Sequence, residues 1–300
     1  MKKLLQYLFL FSCFVNAQDY VDLVKIGYGQ TLNNNFENTT SSTKVQFSEI
    51  DITFPIVLNP KNAFITGISF SQNNLQLFPD ANKTDLYSTL LKIGLASTYN
   101  EKWSSTLVLL PKIASNYKNL SKDDFFFGGF GLLKYKKKEN LIYRFGIYAT
   151  SEAYGVYTTP ILGWYYLSPN KKFEMDVAIP ISADINYNLG FTTLGFDFFG
   201  IGRSYNLKTE NQPNFYVDQS SIEFSAYTQF NLLNESVLLR GKLGYATSNY
   251  EVYAANEKID LGIPLIAFGD ERTLLNPDIS GGVFLKFEAI YRFHLNKQKN

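Results

Sequence analysis

The sequence predicts an all-β protein and, among all-β folds, a transmembrane antiparallel up-and-down β-barrel of 12–14 strands. Three observations carry this. Apolar and polar side chains alternate strictly along most of the chain, the period of a strand with two different faces. The alternating runs are mostly 10 to 14 residues long, close to the roughly 9–11 that cross a bilayer at a tilt and about twice an ordinary strand. Aromatic rings, 26 Phe and 21 Tyr among 300 residues, gather at the run ends like the girdles of a membrane barrel. A soluble sandwich also absorbs alternation, and it solvates charges on its outer face. Run length and ring placement favour the barrel.

The first residues read as an address. Lys2 and Lys3 precede a mostly apolar stretch, 4–15, and Val15-Asn16-Ala17 has the form of a small-residue cleavage site. Residues 1–17 are therefore expected to be a cleaved signal peptide, leaving 18–300 as one outer-membrane barrel domain. Leu10-Phe11-Ser12-Cys13 matches a lipidation signal poorly, because Phe11 is bulky where a small residue belongs. Cleavage removes Cys13, the one cysteine, which suits an oxidising compartment reached without disulfides.

Thirteen runs follow, at about 21–30, 44–56, 63–72, 86–98, 103–113, 124–136, 141–150, 159–168, 172–182, 191–206, 218–231, 236–249 and 281–295. Ile50, Ile52, Phe54 and Ile56 oppose Glu49, Asp51 and Thr53. Phe173, Met175, Val177 and Ile179 oppose Glu174, Asp176 and Ala178. In the last run, Val283, Leu285, Phe287, Tyr291 and Phe293 oppose Lys286, Glu288, Arg292 and His294. Short polar turns at 59–62, 100–102, 137–140 and 168–171 alternate with longer loops at 31–43, 72–85 and 115–124. That rhythm is the one produced by short periplasmic turns and longer outer loops. A single-chain bacterial barrel takes an even number of strands. Thirteen runs therefore need a partner in 181–189 or in 258–268, or one of them is a loop and the count is twelve.

The polar face of these runs is expected to line the lumen with Glu49, Asp51, Lys92, Arg144, Glu174, Asp176, Asp197, Glu223, Arg240, Lys242, Lys286, Glu288 and Arg292. Acids and bases are nearly balanced, which predicts little charge selectivity and lets opposite signs pair and close the lumen. Girdle positions on the other face are Tyr28, Phe70, Tyr99, Trp103, Tyr143, Trp164, Tyr166, Tyr245, Tyr291 and Phe293, with Tyr165 beside them. Tyr148 and Phe199 fall on inward positions, where they narrow a pore or meet an apolar solute.

Signatures of chemistry are weak. Basic and acidic residues number 28 and 27, so nothing calls for nucleic acid. Proton shuttling by imidazole has one candidate, His294, at the end of the last run, and it reads better as an interfacial polar residue. The pairs Glu49/Asp51 and Glu174/Asp176 each share a strand face, a spacing common on any polar face. Asp80, Asp123, Asp124 and Asp184 lack the ordered spacing of a calcium loop. Gly128-Gly129-Phe130-Gly131 lacks the Lys-Ser/Thr of a phosphate loop and suits a curved strand. Lys134, Lys136, Lys137 and Lys138 read as a solvated turn, with contact to anionic lipid headgroups as the alternative. No cofactor and no metal are expected, and an enzyme is not.

A Tyr/Phe/Asn/Lys-rich chain behind a lysine-led signal, with the last strand Phe284-Leu285-Lys286-Phe287-Glu288-Ala289-Ile290-Tyr291-Arg292-Phe293, resembles Bacteroidota outer-membrane β-barrels. Leu162-Gly163-Trp164-Tyr165-Tyr166 followed by Ile179-Pro180 is similar to an uncharacterised, domain-of-unknown-function barrel family of that group. The resemblance implies an outer-membrane location and brings no activity. The expected partners are outer-membrane lipid and, through the last strand at 283–295, the barrel-assembly machinery. The seven residues after Phe293 depart from barrels whose last strand ends on a terminal aromatic. The expected function is a passive pore or a barrel handling small solutes or lipids. The alternatives are a structural or surface-interaction barrel with a blocked lumen and, further behind, an outer-membrane hydrolase.

Overall fold

The computed structural model describes residues 20–208 and 214–295, so the expected signal peptide and Cys13 lie outside the described residues. Fourteen strands form the wall: β1 (Tyr20–Thr31), β2 (Gln46–Asn59), β3 (Asn62–Leu75), β4 (Thr84–Thr98), β5 (Trp103–Leu109), β6 (Gly128–Lys138), β7 (Leu141–Glu152), β8 (Gly155–Leu167), β9 (Phe173–Ile179), β10 (Ser182–Asn188), β11 (Thr192–Leu207), β12 (Phe215–Leu232), β13 (Val237–Ala246) and β14 (Gly282–His294). Each pairs antiparallel with its neighbours along the chain. β14 then returns to β1, setting Tyr20 opposite His294 and Thr31 opposite Phe284. The circuit of neighbouring strands is therefore closed.

The strand count resolves to fourteen, and the partner lies within 181–189. The run expected over 172–182 is shorter than its alternation suggested. It ends at Ile179, the chain turns at Pro180 and Ile181, and β10 begins at Ser182. Proline has no N–H to give to a ladder, which suits it to a turn. The other candidate, 258–268, supplies only two three-residue loop strands, Leu261–Ile263 and Ile266–Phe268.

One rim carries the short connections at 60–61, 99–102, 139–140, 168–172, 189–191 and 233–236; the opposite rim carries the long loops. The long-loop rim also has two tight turns, at 153–154 and 180–181, so the expected rhythm of lengths breaks there. At the first, Gly155 takes φ +136°, a conformation a Cβ disfavours, and this reverses the chain between β7 and β8. The outward face of the wall is an apolar belt that includes Ile26, Phe54, Leu107, Ile147, Leu162 (59% exposed), Leu243 and Phe287. A belt this extensive is a surface for lipid acyl chains.

β11 and β12 outgrow the wall. They stay paired from Phe199–Glu223 to Leu207–Phe215, and Phe215–Ser220 of β12 takes the loop strand Asn249–Ala254 as its other neighbour. The resulting three-stranded sheet crosses the mouth as a septum. On one side Arg203 donates to Ser71 at 2.9 Å and Asn73 donates to the Tyr205 hydroxyl at 2.9 Å, both on β3, while Asn206 bridges Ser115. On the other side the Ala153 N–H donates to Ser204 Oγ at 2.6 Å, and the Ser204 N–H donates to Glu152 at 2.8 Å. Glu152 is also ion-paired with Lys112. Around the septum lies the main apolar core, with Phe36, Leu75, Leu86, Tyr205, Tyr216, Tyr250 and Val252 fully buried.

Candidate functional site: the lumen cavity

Below the septum, a cavity of about 930 Å³ reaches from the short-turn rim, at Lys171, Lys172, Asn188, Glu235 and His294, to Lys112, Tyr148, Phe199 and Arg203 under the septum. Strand parity dictates its lining, because residues two apart on one strand share a face.

Among the expected lumen residues, Glu49, Asp51, Arg144, Glu174, Asp176, Asp197, Glu223, Arg240, Lys242, Lys286 and Arg292 line this cavity. Most are bonded to a partner across the wall. Lys286 meets Glu49 at 2.6 Å, Lys92 meets Asp51 at 2.6 Å, and Arg292 meets Asp22 at 2.6 Å. Arg144 pairs with Asp176, Lys242 with Asp197, and Arg240 with Asp184 at 3.1 Å. Glu288, its side chain fully buried, is the common counter-charge of Lys25, Lys242 and Lys286, each at 3.2 Å, and of Arg240 at 3.9 Å. Glu174 is held instead by two neutral donors, the hydroxyls of Tyr20 at 2.7 Å and Tyr165 at 2.8 Å. The Arg240 guanidinium lies 3.9 Å from the Tyr227 ring centroid, and that ring's hydroxyl donates to Asp184 at 2.7 Å.

Sequence reasoning did not single out Asp22, Lys25, Arg203 or Tyr227 as lumen residues. Strict alternation puts positions 22 and 25 on opposite faces, but a register shift between Asp22 and Val24 turns both inward. Asp184 escapes the expected lumen set because its segment, 181–189, is one of two candidates for the missing strand. Leu238 and Ile290 also line the cavity, apolar residues on a face read as polar. Tyr165 is a correction. At 1% exposed it is not a girdle ring but a lumen residue, since the inward face of β8 runs through the odd positions between Trp164 and Tyr166.

The remaining rings lie toward strand ends, except Phe70, which is the ninth of the 14 residues of β3. Tyr99, Trp103, Trp164, Tyr291 and Phe293 are exposed toward the short-turn rim, and Tyr28 and Tyr245 toward the long-loop rim. Phe70 stacks on Tyr87 with ring centroids 6.2 Å apart, Tyr166 packs on Phe173 at 6.3 Å, and Tyr143 lies 5.7 Å beneath Lys137. The carboxylate pairs Glu49/Asp51 and Glu174/Asp176 spend their oxygens on the contacts above. His294 sits at the short-turn rim, Nε2 3.2 Å from the Glu235 carbonyl. Asp124 is bound by Lys208 at 2.7 Å and by the Ser121 N–H at 2.6 Å. Among the described residues no group of three or more His, Cys, Asp or Glu side chains is placed to hold a metal ion.

Fold and cavity together define a closed fourteen-stranded β-barrel with a polar, ion-paired lumen and a roofed mouth. Over residues 13–255 the chain matches the family described as a domain of unknown function (DUF6268), and it belongs to that family. No curated protein matches it. Solved structures similar to it include an outer membrane channel from Pseudomonas putida F1 (10% identity, 93% of this chain and 100% of that one, TM-score 0.44). The P. putida toluene transporter TodX is similar at 11% identity over 90% and 89% of the two chains, TM-score 0.39. OccAB4 of Acinetobacter baumannii is similar at 10% over 93% and 100%, TM-score 0.30.

Proposed function

We propose that this chain is an outer-membrane barrel that admits a small solute from the periplasm into its lumen, its outer mouth being shut in the state described. In this reading the short-turn rim faces the periplasm and the long loops face outward, as the usual asymmetry of such barrels has it. The signal-like residues 1–17 and the Bacteroidota-like composition support export to that membrane, and β14 serves as the strand handed to the assembly machinery. One observation carries the reading: a cavity of about 930 Å³ reaches the short-turn rim, its lining stops at Lys112, Tyr148, Phe199 and Arg203, and beyond them a pocket of about 50 Å³ leads up against the buried core around the septum. A standing diffusion pore needs a continuous aqueous path, and the septum with its apolar core interrupts it. The lining offers paired charges and hydroxyls without a nucleophile–base pair or metal cluster, which favours binding and passage over catalysis.

Single-channel recording in planar bilayers tests this. The native barrel is expected to be silent or to open in rare, small steps. The double variant Tyr205→Ala/Gln219→Ala, which removes the Asn73–Tyr205–Gln219 contacts of the septum, is expected to conduct steadily. Steady large steps from the native protein would show that the septum does not close it. Silence from a septum variant that keeps its heat-modifiable migration would favour the second reading, a barrel permanently blocked by its septum whose outer loops bind a partner.

A further inference from the structure

The wall is incomplete at one place. β9 and β10 have seven residues each between neighbours of 13 and 16. The β8–β9 ladder stops at Leu162–Ile179, and the β10–β11 ladder stops at Ser182–Phe199, with one more bond from the Gly200 N–H to the Ile181 carbonyl at 2.8 Å. Above that level β11 does not close onto β8. It passes on the lumen side: a Cβ on Gly202 would lie 3.8 Å from the Tyr157 ring, which is on the inner face of β8. The free edge of β8 is met from above by the loop strand Leu261–Ile263, which runs parallel to it with Gly262 opposite Tyr157. Its hairpin turn, at Pro264 and Leu265, therefore points down toward the upward turn at Pro180 and Ile181. That hairpin touches the wall along one edge, and its outer side chains are apolar, Leu265 being 91% exposed.

Directly inside this interruption is the upper end of the cavity, where Ala178, Ser182, Phe199 and Gly202 line it. Phe199 presents a ring that is 40% exposed, with Arg203 and Glu223 nearby on the same lining. Outside it, Val156, Ile179 and Phe196 belong to the lipid-facing belt. Apolar side chains therefore face both the lumen and the bilayer at this one level of the wall, where β8 and β11 are not paired, while the septum crosses the axial route above. We infer that the interruption between β8 and β11 is a lateral portal, shuttered by the 261–268 hairpin. Through it an amphipathic solute with an acyl or aromatic body exchanges between the lumen and the outer leaflet. The polar head stays among the charged lining of the cavity while the apolar body enters lipid. This deepens the reading of a solute-handling barrel and rests on it.

The test uses the full chain with Cys13→Ser, reconstituted in vesicles that contain a radiolabelled phospholipid. Phe199 is replaced by the photo-crosslinker benzoylphenylalanine, with Ser69 on the inner face of β3 as the control position. Label transfer to position 199 is expected to exceed that at position 69 roughly tenfold, because only the portal brings acyl chains within reach of a lumen residue. A second variant adds Tyr157→Cys and Gly262→Cys. A Cβ on Gly262 would lie 2.9 Å from the Tyr157 ring, so the two thiols are within bonding reach. Oxidation is expected to cut labelling about fivefold by pinning the shutter, and reduction to restore it. Dansyl-undecanoate is expected to compete with the label and maltotriose is not.

Equal labelling at 199 and 69, no labelling at 199, indifference to the disulfide, or competition by the sugar alone would each overturn the portal. Conductance with Tyr205→Ala/Gln219→Ala added to the same variants reads the axial path separately. A barrel that stays silent yet labels at 199 keeps the portal and loses the outward pore, and one that conducts without labelling does the reverse.

Discussion

Arg272, from the long loop after β13, donates from Nη1 to the Asp218 carboxylate at 3.0 Å and clamps the top of the septum. The same guanidinium grips Asp270 at 2.8 Å and lies 4.0 Å from the Tyr253 ring centroid. Asp218 belongs to the part of β12 that projects beyond the wall. Burial there pushes its carboxyl up to about 7, against the pull of Arg272 and with Glu251 adding to the rise.

A pH dependence follows. The folded septum holds a proton on Asp218 that the unfolded chain gives up above the ordinary value of 3.8. The folded form therefore binds more protons between 3.8 and about 7, and its stability falls as pH rises through that window. The slope is at most about 1.4 kcal/mol per pH unit. Hydrogen exchange of the amides at 215–220, corrected for intrinsic rates, is expected to show stronger protection at pH 5 than at pH 8. Asp218→Asn should flatten that difference, and a native protein with pH-independent protection would refute the assignment.

Glu288 is the hub of the lumen. Its replacement by Gln leaves Lys25, Arg240, Lys242 and Lys286 without their shared counter-charge, and breaking a buried ionic group in this way costs about 3–5 kcal/mol. The loss should appear as a lower temperature of conversion to the unfolded band on a heat-modifiability gel. No change in that temperature would mean that water or counter-ions already solvate the four cations.

Gly195 makes room for Tyr227. A Cβ at position 195 would lie 2.2 Å from that ring, which sits flat against the strand beneath Arg240. Gly195→Ala is expected to displace the ring and cost about 1–3 kcal/mol. Arg240→Ala added to it should then cost less than in the native background, because the stacking is already lost. Additive losses in a double-mutant cycle would contradict the coupling.

The orientation of the wall is testable with one outward position on β8 and one inward position on β3. Leu162 is outward and mid-wall, so Leu162→Arg should cost about 2–4 kcal/mol in a bilayer, whereas an arginine at lumen-facing Ser69 should cost far less. Equal costs measured by chemical denaturation in vesicles would place both positions on the same kind of surface.

Much of the wall was legible in the sequence because its physics is periodic. Ile50 to Ile56 alternates, Val283 to Phe293 does so apart from the inward Phe284 and Ile290, and parity alone assigns their inward charges. Legibility failed where the period is interrupted or its surroundings change. The bulge after Asp22 inverts a face with no change in composition. Tyr165 has the look of its neighbours Trp164 and Tyr166, and only its parity separates it from them. The septum left a signal in the length of the runs 191–206 and 218–231, longer than a bilayer needs. Their inward bend, however, is set by contacts such as Asn73 with Tyr205, which join distant strands and leave no local trace. The tight turn at 180–181 was hidden for the same reason: β9 and β10 stop where β11 leaves the wall to pass on the lumen side of β8.

The seam between Tyr20 and His294 bears on how such a chain survives its own biogenesis. The earliest and the latest strands to emerge are each other's wall partners, so every intermediate exposes two raw edges, and the cylinder becomes watertight only with the final ladder. A frameshift or premature stop anywhere upstream of β14 therefore yields a sticky, open sheet rather than a smaller barrel. Whether this chain is a barrel at all reduces to a single question of whether its last strand has found its first.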